Sequence, residues 1–427
     1  MTDDSSEAGG PLIVDTDAVA EVVAACREAG EIALDLEFAA DGRMRPDLAL
    51  VQVAWCPGRD PGDPDAPDAD AVEVRAIDAT VVDPTPLLAL IAGEVDVIAH
   101  AARQDLQLLA ARFDLRGARL FDTQIAAAFV GLGDQLGYAR LADALVGARI
   151  DKGPQFTDWL ARPLSPRQLA YALDDVRHLP AAAAILRERL AASGRDAWVR
   201  QECEILCDVA FAAGRTGPDD AWQDVGGARR LHGADRAALV RLAAWRWQVA
   251  AAGNKPPTWI LADKVLIELA QRRPRDADGI RKVRGAGEVA REHADDVVAA
   301  LAAAAEDVAA GRVPAGDDDG EPGGRGPRAL VPRAQLWQEV FVTLVQWASQ
   351  RTDIPPRWIA ARGECEELAR LLHRGDPRAE AHPLLTTWRR EIVGDSMRAW
   401  VRGDLALVGA PDEPSGARLV PVGTPEA

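Results

Sequence analysis

EIALDLEF, residues Glu31 to Phe38, is an apolar run interrupted by two carboxylates at alternate positions. Successive side chains of a strand point to opposite faces, so Ile32, Leu34, Leu36 and Phe38 share one face and Asp35 and Glu37 the other. A strand with so apolar a face is a buried one. Two carboxylates side by side on its other face are costly unless something cationic lies between them. A bound divalent metal meets that need. Two nearby arginines would meet it too, and an exposed strand face would avoid it.

Around this strand the chain alternates. Leu48 to Trp55 (LALVQVAW) reads as a second strand, Ala71 to Ile77 as a third and Val95 to Ala99 as a short fourth. Pro86 to Ala92 and Arg103 to Arg112 read as helices, with more helices following to Leu190. Three consecutive strands and then a helix-interleaved remainder imply a mixed sheet with helices on its faces, an α/β domain over residues 11–195. Residues 196–227 read as a connecting helix and a turn-rich linker. Residues 228–306 hold only helical patterns, and residues 331–408 form a second helical unit. Between them, residues 307–330 have the Gly, Pro and Asp content of a flexible linker. Residues 1–10 and 409–427 are expected to be disordered tails, and the acidic stretch Pro57–Asp70 a hairpin insertion pointing away from any polyanion channel.

The totals fit this division. A chain of 427 residues, 48% hydrophobic and 27% charged, is ordinary globular material for two or three domains. No apolar run approaches the ~20 residues that span a bilayer, and the acidic N-terminus lacks the pattern of a secretory signal. A cytoplasmic location is expected. The five cysteines, including Cys203 and Cys207 one helical turn apart, form no Cys-x-x-Cys pair and are expected to be reduced, packed thiols. The net charge of −18 is unevenly spread. Residues 1–100 hold 22 Asp and Glu against 5 Lys and Arg, whereas residues 229–292 hold 14 Lys and Arg against 7 Asp and Glu. The front is acidic and the middle basic, which suits a phosphate-tracking surface in the helical region. Trp245, Trp247 and Trp259, interleaved with these cations, are expected in its core.

Two further carboxylate sites matter. Asp105 follows Ala99-His100-Ala101-Ala102-Arg103-Gln104 at a strand-to-helix corner, where a helix-start carboxylate complements the dipole. His100 is expected to be a packed corner residue. Tyr171 and Asp175 are four apart on a helix and so project from one face. Taken singly, each is unremarkable: a helix-start acid, a core tyrosine, a solvated aspartate. Brought into one cleft, Asp35, Glu37, Asp105 and Asp175 would supply the hard oxygen ligands that Mg²⁺ or Mn²⁺ prefers, and two such ions can drive an in-line phosphoryl displacement. Tyr171, with an ordinary pKa of ~10, is a poor base at neutral pH but could orient the attacking water.

These residues resemble the three exonuclease motifs of the DEDD superfamily, tyrosine subtype, and among its members the ribonuclease D family. Leu50-Val51-Gln52, Phe121-Asp122-Thr123-Gln124, Asp158-Trp159-x-x-Arg162-Pro163-Leu164 and Gln168 to Leu179 match as well. Residues 228–306 are similar to an HRDC domain, carrying Leu242 to Ala250, Asn254-Lys255-Pro256-Pro257 and Asp263. Residues 331–408, with His382-Pro383-Leu384-Leu385 and Trp388-Arg389, look like a second, divergent HRDC-like domain.

The resemblance implies a ribonuclease H-like catalytic fold followed by two small all-α domains. It implies Asp35, Glu37, Asp105 and Asp175 as ligands of two divalent cations, Mg²⁺ or Mn²⁺, and Tyr171 as the residue that positions water. The implied activity is removal of 5′-nucleoside monophosphates from RNA 3′ ends, on tRNA precursors and other structured small RNAs, by a monomeric protein with no membrane partner. Arg43, Arg45, Lys152 and Lys255 are candidate substrate contacts. His178, close to Asp175's face, is not assigned a role. The family's aromatic residue near Asp41 to Pro46 is missing here, which puts a stacking contact to the terminal nucleotide in doubt. The alternatives are the same chemistry on DNA ends and a catalytically silent RNA-binding scaffold.

Overall fold

The structure is a computed structural model that describes residues 10–59, 67, 71–150, 153, 157–313 and 331–423. Its N-terminal domain is built on a six-stranded sheet: β1 (Leu12–Ile13), β2 (Glu31–Ala39), β3 (Asp47–Trp55), β4 (Glu73–Asp78), β5 (Asp96–Ala99) and β6 (Arg119–Asp122). The spatial order is β1-β4-β3-β2-β5-β6. Strand β3 runs antiparallel to β2 and β4, while β1–β4, β2–β5 and β5–β6 are parallel pairs. The strand that carries Asp35 and Glu37 therefore lies inside the sheet, flanked on both sides. This is the mixed α/β architecture expected.

The alternation of β2 sets the two layers. Ile32, Leu34 and Leu36 pack with α1 (Thr16–Ala29), α2 (Thr85–Ile91) and α3 (Arg103–Phe113) in one core. Ala33, on the opposite face, joins a second core with Leu173, Val176, Leu179 and Ala183. These come from α6 (Pro166–Arg177) and α7 (Leu179–Ser193), which follow α4 (Thr123–Phe129) and α5 (Tyr138–Val146). Asp35 and Glu37 continue the Ala33 face and so point toward α6. The long helix α8 (Asp196–Gly214) adds Cys207, Ala210 and Phe211 to the first core.

Residues 221–304 build a core of their own around Leu239, Leu242, Leu266 and Val297, with α9 (Gly233–Ala252) and α10 (Pro257–Ile260) among its helices. The second helical unit is different, because it shares a core with the N-terminal domain. Phe129 of α4 stands edge-on to Trp388 at 5.1 Å between ring centroids, and Trp198 of α8 stacks on it at 5.2 Å. Glu202 Oε1 accepts from Trp388 Nε1 at 2.8 Å and from Arg389 at 3.1 Å.

The C-terminal segment corrects the sequence reading. Instead of a disordered tail from residue 409, β7 (Leu405–Gly409) and β8 (Ala417–Pro421) form an antiparallel hairpin. The Pro, Asp and Gly residues at 411–416 are its turn rather than a sign of disorder, and Trp347 Nε1 holds it by donating to the Ala417 carbonyl at 3.1 Å. The linker after residue 306 also starts late, since its first residues extend a helix to Ala309. Residues 1–9, 314–330 and nearly all of Asp60–Asp70 lie outside the described residues. No helix among the described residues is long and apolar enough to cross a membrane.

Candidate active site

Asp35 and Glu37 reach the cleft because β2 is extended through both, with a register irregularity immediately after Glu37. Opposite them, α6 begins at a capping box in which Ser165 and Gln168 exchange hydrogen bonds. Gln168 Nε2 also donates to Thr157 Oγ1 at 3.0 Å. The preceding loop is tied down by Arg162, whose guanidinium donates to both oxygens of buried Asp78 at 2.5 and 2.6 Å. Trp159 in that loop packs 6.2 Å from Tyr171, ring to ring. The matched Asp-Trp-x-x-Arg-Pro-Leu and Gln residues thus form the seat of Tyr171. Carboxylate oxygens of Asp35, Glu37 and Asp175 all lie within 4.8 Å of one another. The Tyr171 side chain is hydrogen-bonded to Asp175.

Asp105 stands beside this cluster rather than inside it. It occupies the first turn of α3, and the corner before α3 is fixed by Asp122. One oxygen of Asp122 accepts from Ala102 N at 2.9 Å and the other from Gln124 N at 2.8 Å, capping α4 and pinning the corner together. His100 bridges Thr123 Oγ1 and the Leu136 carbonyl, each at 2.9 Å, and is a packed corner residue as expected.

Burial is the main influence on all four carboxyls, and repulsion from neighbouring carboxylates adds to it for Glu37, Asp105 and Asp175. Asp35 is pushed up to about 7, Asp175 to about 8 and Glu37 to about 9. Asp105 is raised well above its ordinary value, with Asp35 adding to the desolvation. Among the described residues no lysine or arginine pairs with any of the four. Three converging oxygen-donor side chains with Asp105 beside them, paired with no lysine or arginine among the described residues, fit a hard divalent ion.

A pH dependence follows. The folded pKa values lie above the ordinary values of about 4, so the folded protein binds more protons than the unfolded chain. That stabilisation is complete at low pH and is lost as pH rises through the folded values. Without divalent cations, the melting temperature should therefore fall between about pH 4 and pH 9, and added Mg²⁺ should remove the slope. A flat profile in chelator would contradict this charge balance.

Gln52 was missed as a site residue, although it was legible as part of the Leu-Val-Gln match. It pairs directly with Asp35 across β2–β3, is fully buried, and neither amide atom has a hydrogen-bond partner among the described residues. An unpaired buried amide costs ~1–3 kcal/mol. Gln52→Met, of similar volume, should raise the melting temperature of the metal-free protein. A lower value would mean that water or another group satisfies the amide.

The proposed RNA-facing residues divide. Arg43 is occupied, donating to Asp47 at 2.8 Å and to the Asp41 carbonyl at 3.1 Å. Arg45 and Lys255 are exposed and form no ion pair among the described residues. Lys152 lies outside the described residues. The basic middle is less open than its composition suggests. Arg236 and Arg246 are buried, Arg246 on Asp263 at 2.7 Å, while Arg241 pairs with Asp307 at 2.6 Å. The tryptophans divide too: Trp245 is in the core, but Trp259 is 67% exposed. A cleft of about 1000 Å³ opens between α3, α8 and α9, lined by Leu108, Phe113 and Trp247, and none of the four carboxylates lines it.

Residues 12–191 match the 3′–5′ exonuclease family, and residues 235–301 match the HRDC domain. A ribonuclease D of Gluconacetobacter diazotrophicus is 35% identical over 94% of this chain and 96% of its own length. The chain belongs to the ribonuclease D family. A second ribonuclease D, from Acidiphilium cryptum, is 35% identical over 93% of this chain and 94% of its own. The crystal structure of Escherichia coli RNase D, described as an exoribonuclease involved in structured RNA processing, superposes with a TM-score of 0.73 at 25% identity, covering 92% of this chain and 98% of that one. The present chain is a ribonuclease D-like 3′–5′ exoribonuclease, a hydrolase of phosphodiester bonds, and the fold implies divalent cations as its cofactors.

Proposed function

We propose that Asp35, Glu37, Asp105 and Asp175 hold two divalent cations, Mg²⁺ or Mn²⁺, and that the enzyme trims tRNA precursors and other structured small RNAs from their 3′ ends. The observation that carries this reading is the convergence of Asp35, Glu37 and Asp175 oxygens within 4.8 Å of one another. When bound, the ions neutralise the scissile phosphate and acidify the attacking water.

The chain's own residues do the rest. Asp175 accepts the Tyr171 hydrogen bond and so fixes where the phenol oxygen stands. Tyr171 is then placed to orient a water for in-line attack, without giving up its own proton at neutral pH. Water attacks phosphorus and releases a proton to solvent, the bond to the preceding nucleotide's 3′ oxygen breaks, that oxygen takes up a proton from solvent, and a 5′-nucleoside monophosphate leaves. The enzyme acts as a monomer in the cytoplasm in this reading.

The test is a tRNA precursor with a short 3′ extension, labelled at its 5′ end, incubated with and without Mg²⁺ or Mn²⁺ and resolved nucleotide by nucleotide. A metal-dependent ladder shortening from the 3′ end is expected. Bound RNA that never shortens would return the reading to a silent scaffold, and internal cuts would overturn the polarity. A matched DNA oligonucleotide, trimmed at least as fast, would overturn the choice of RNA.

A further inference from the structure

We infer that Trp259, a residue of the HRDC domain, is a base-stacking platform of the active-site mouth and receives a nucleobase of single-stranded RNA upstream of the bond being cut. This rests on the exoribonuclease reading above and deepens it. The loop between β2 and β3, Ala40 to Pro46, begins directly after the strand that carries Asp35 and Glu37. It contains no aromatic residue. The structure puts one there from elsewhere. The Trp259 indole lies against Gly42, so close that a β-carbon on Gly42 would come within 3.0 Å of its ring. Gly42 has φ +69°, which favours glycine in its own right.

The contact is held by the backbone. Asn254 Oδ1 accepts from Arg45 N at 2.8 Å, Asn254 Nδ2 donates to the Arg45 carbonyl at 3.2 Å, and Met44 N donates to the Asn254 carbonyl at 3.3 Å. These bonds clamp the β2–β3 loop to the turn that leads into α10. Trp259, two-thirds exposed on that helix, is therefore fixed relative to the catalytic strand while most of its surface stays in water. An apolar ring kept open beside a clamped loop has no folding rationale, since Trp245 of the same domain is buried.

Charge favours a nucleotide as the occupant. Arg45 and Lys255, on the two sides of the clamp, are exposed and make no ion pair among the described residues, whereas Arg43 is held by Asp47. Exposed cations flanking an exposed aromatic ring, Arg45 with its guanidinium 5.9 Å from the Trp247 ring centroid, match a base on the ring and phosphates on the cations. Gly42 is five residues from Glu37, so their backbones are at most ~17 Å apart. That is a reach of a few nucleotides from the reacting phosphate.

The experiment measures removal of the 3′-terminal nucleotide from a 5′-labelled single-stranded oligoribonucleotide by the full-length enzyme in Mg²⁺. Trp259→Ala should raise KM about tenfold, the scale of one lost base–aromatic stack, with kcat changed less than about twofold and the melting temperature unchanged. Trp259→Phe should recover most of the loss. A single abasic residue moved along the RNA should, at one position a few nucleotides from the 3′ end, raise the wild-type KM equally and add nothing in Trp259→Ala. An unchanged KM in Trp259→Ala, with wild-type trimming intact, would overturn the platform alone. So would an abasic penalty that adds to the substitution at every position, or a Trp259→Phe as weak as Trp259→Ala, either of which marks a domain contact or a protein-docking residue. A wild type that trims no RNA would overturn the exoribonuclease reading itself.

Discussion

Asp175→Asn is expected to lower the rate of nucleotide removal by roughly a thousandfold or more, the scale seen when a group that stabilises only the transition state is removed. The asparagine keeps the shape of the side chain but removes a negative oxygen from the cluster with Asp35 and Glu37. It also weakens the acceptor that holds Tyr171. RNA binding should persist, because phosphate contacts made elsewhere on the surface do not pass through this carboxyl. Above about pH 8 the variant should also melt higher than the wild type in chelator, since one of four half-buried carboxyls has lost its charge. Rate by single-turnover trimming, binding by fluorescence anisotropy and melting by circular dichroism check the three parts. An unchanged trimming rate would sink the site assignment.

The second large effect is expected at a residue with no side chain, Gly153. A β-carbon on Gly153 would lie 2.0, 2.6 and 2.8 Å from Cδ2, Cγ and Cε2 of Tyr171. Those atoms include the root of the ring, which cannot swing aside as a chain end can. Trp159 packs on the same ring. Gly153→Ala therefore displaces the phenol from its place over Asp175, and a shift of about 1 Å in a catalytic group can cost about a hundredfold. We expect kcat to fall by roughly that factor with KM little changed. The loss should be largely absent when measured in a Tyr171→Phe background, because the group being displaced has already gone. Full activity in Gly153→Ala would show that residue 153 yields instead of Tyr171.

Much of this site was legible in the sequence because its parts are periodic. The two-residue period of β2 placed Asp35 and Glu37 on one face, and the four-residue spacing in α6 did the same for Tyr171 and Asp175. Each is a local statement that needs no partner. Other parts carried no such signal. Strand β1 is two residues long and β6 four, too short for a period to show. The C-terminal hairpin hid behind the Pro and Gly of its own turn. Gln52 read as one polar residue in an apolar strand, and only its fully buried, unpartnered amide beside Asp35 marks it out.

The sequence by itself therefore determined the class of chemistry, through four carboxylates and a tyrosine in family order, and the mixed α/β layer that presents them. Tertiary structure alone decided which of them meet: Asp35, Glu37 and Asp175 converge, while Asp105 stands beside them on α3. It also decided which cations face outward, since Arg246 goes inside to Asp263 and Arg45 stays in water. And it brought Trp259 from more than 200 residues away onto Gly42. The physical reason is common to all three. Period fixes the direction of a side chain relative to its own element, but burial and pairing are fixed by what packs against that element, and those partners lie far away in the chain.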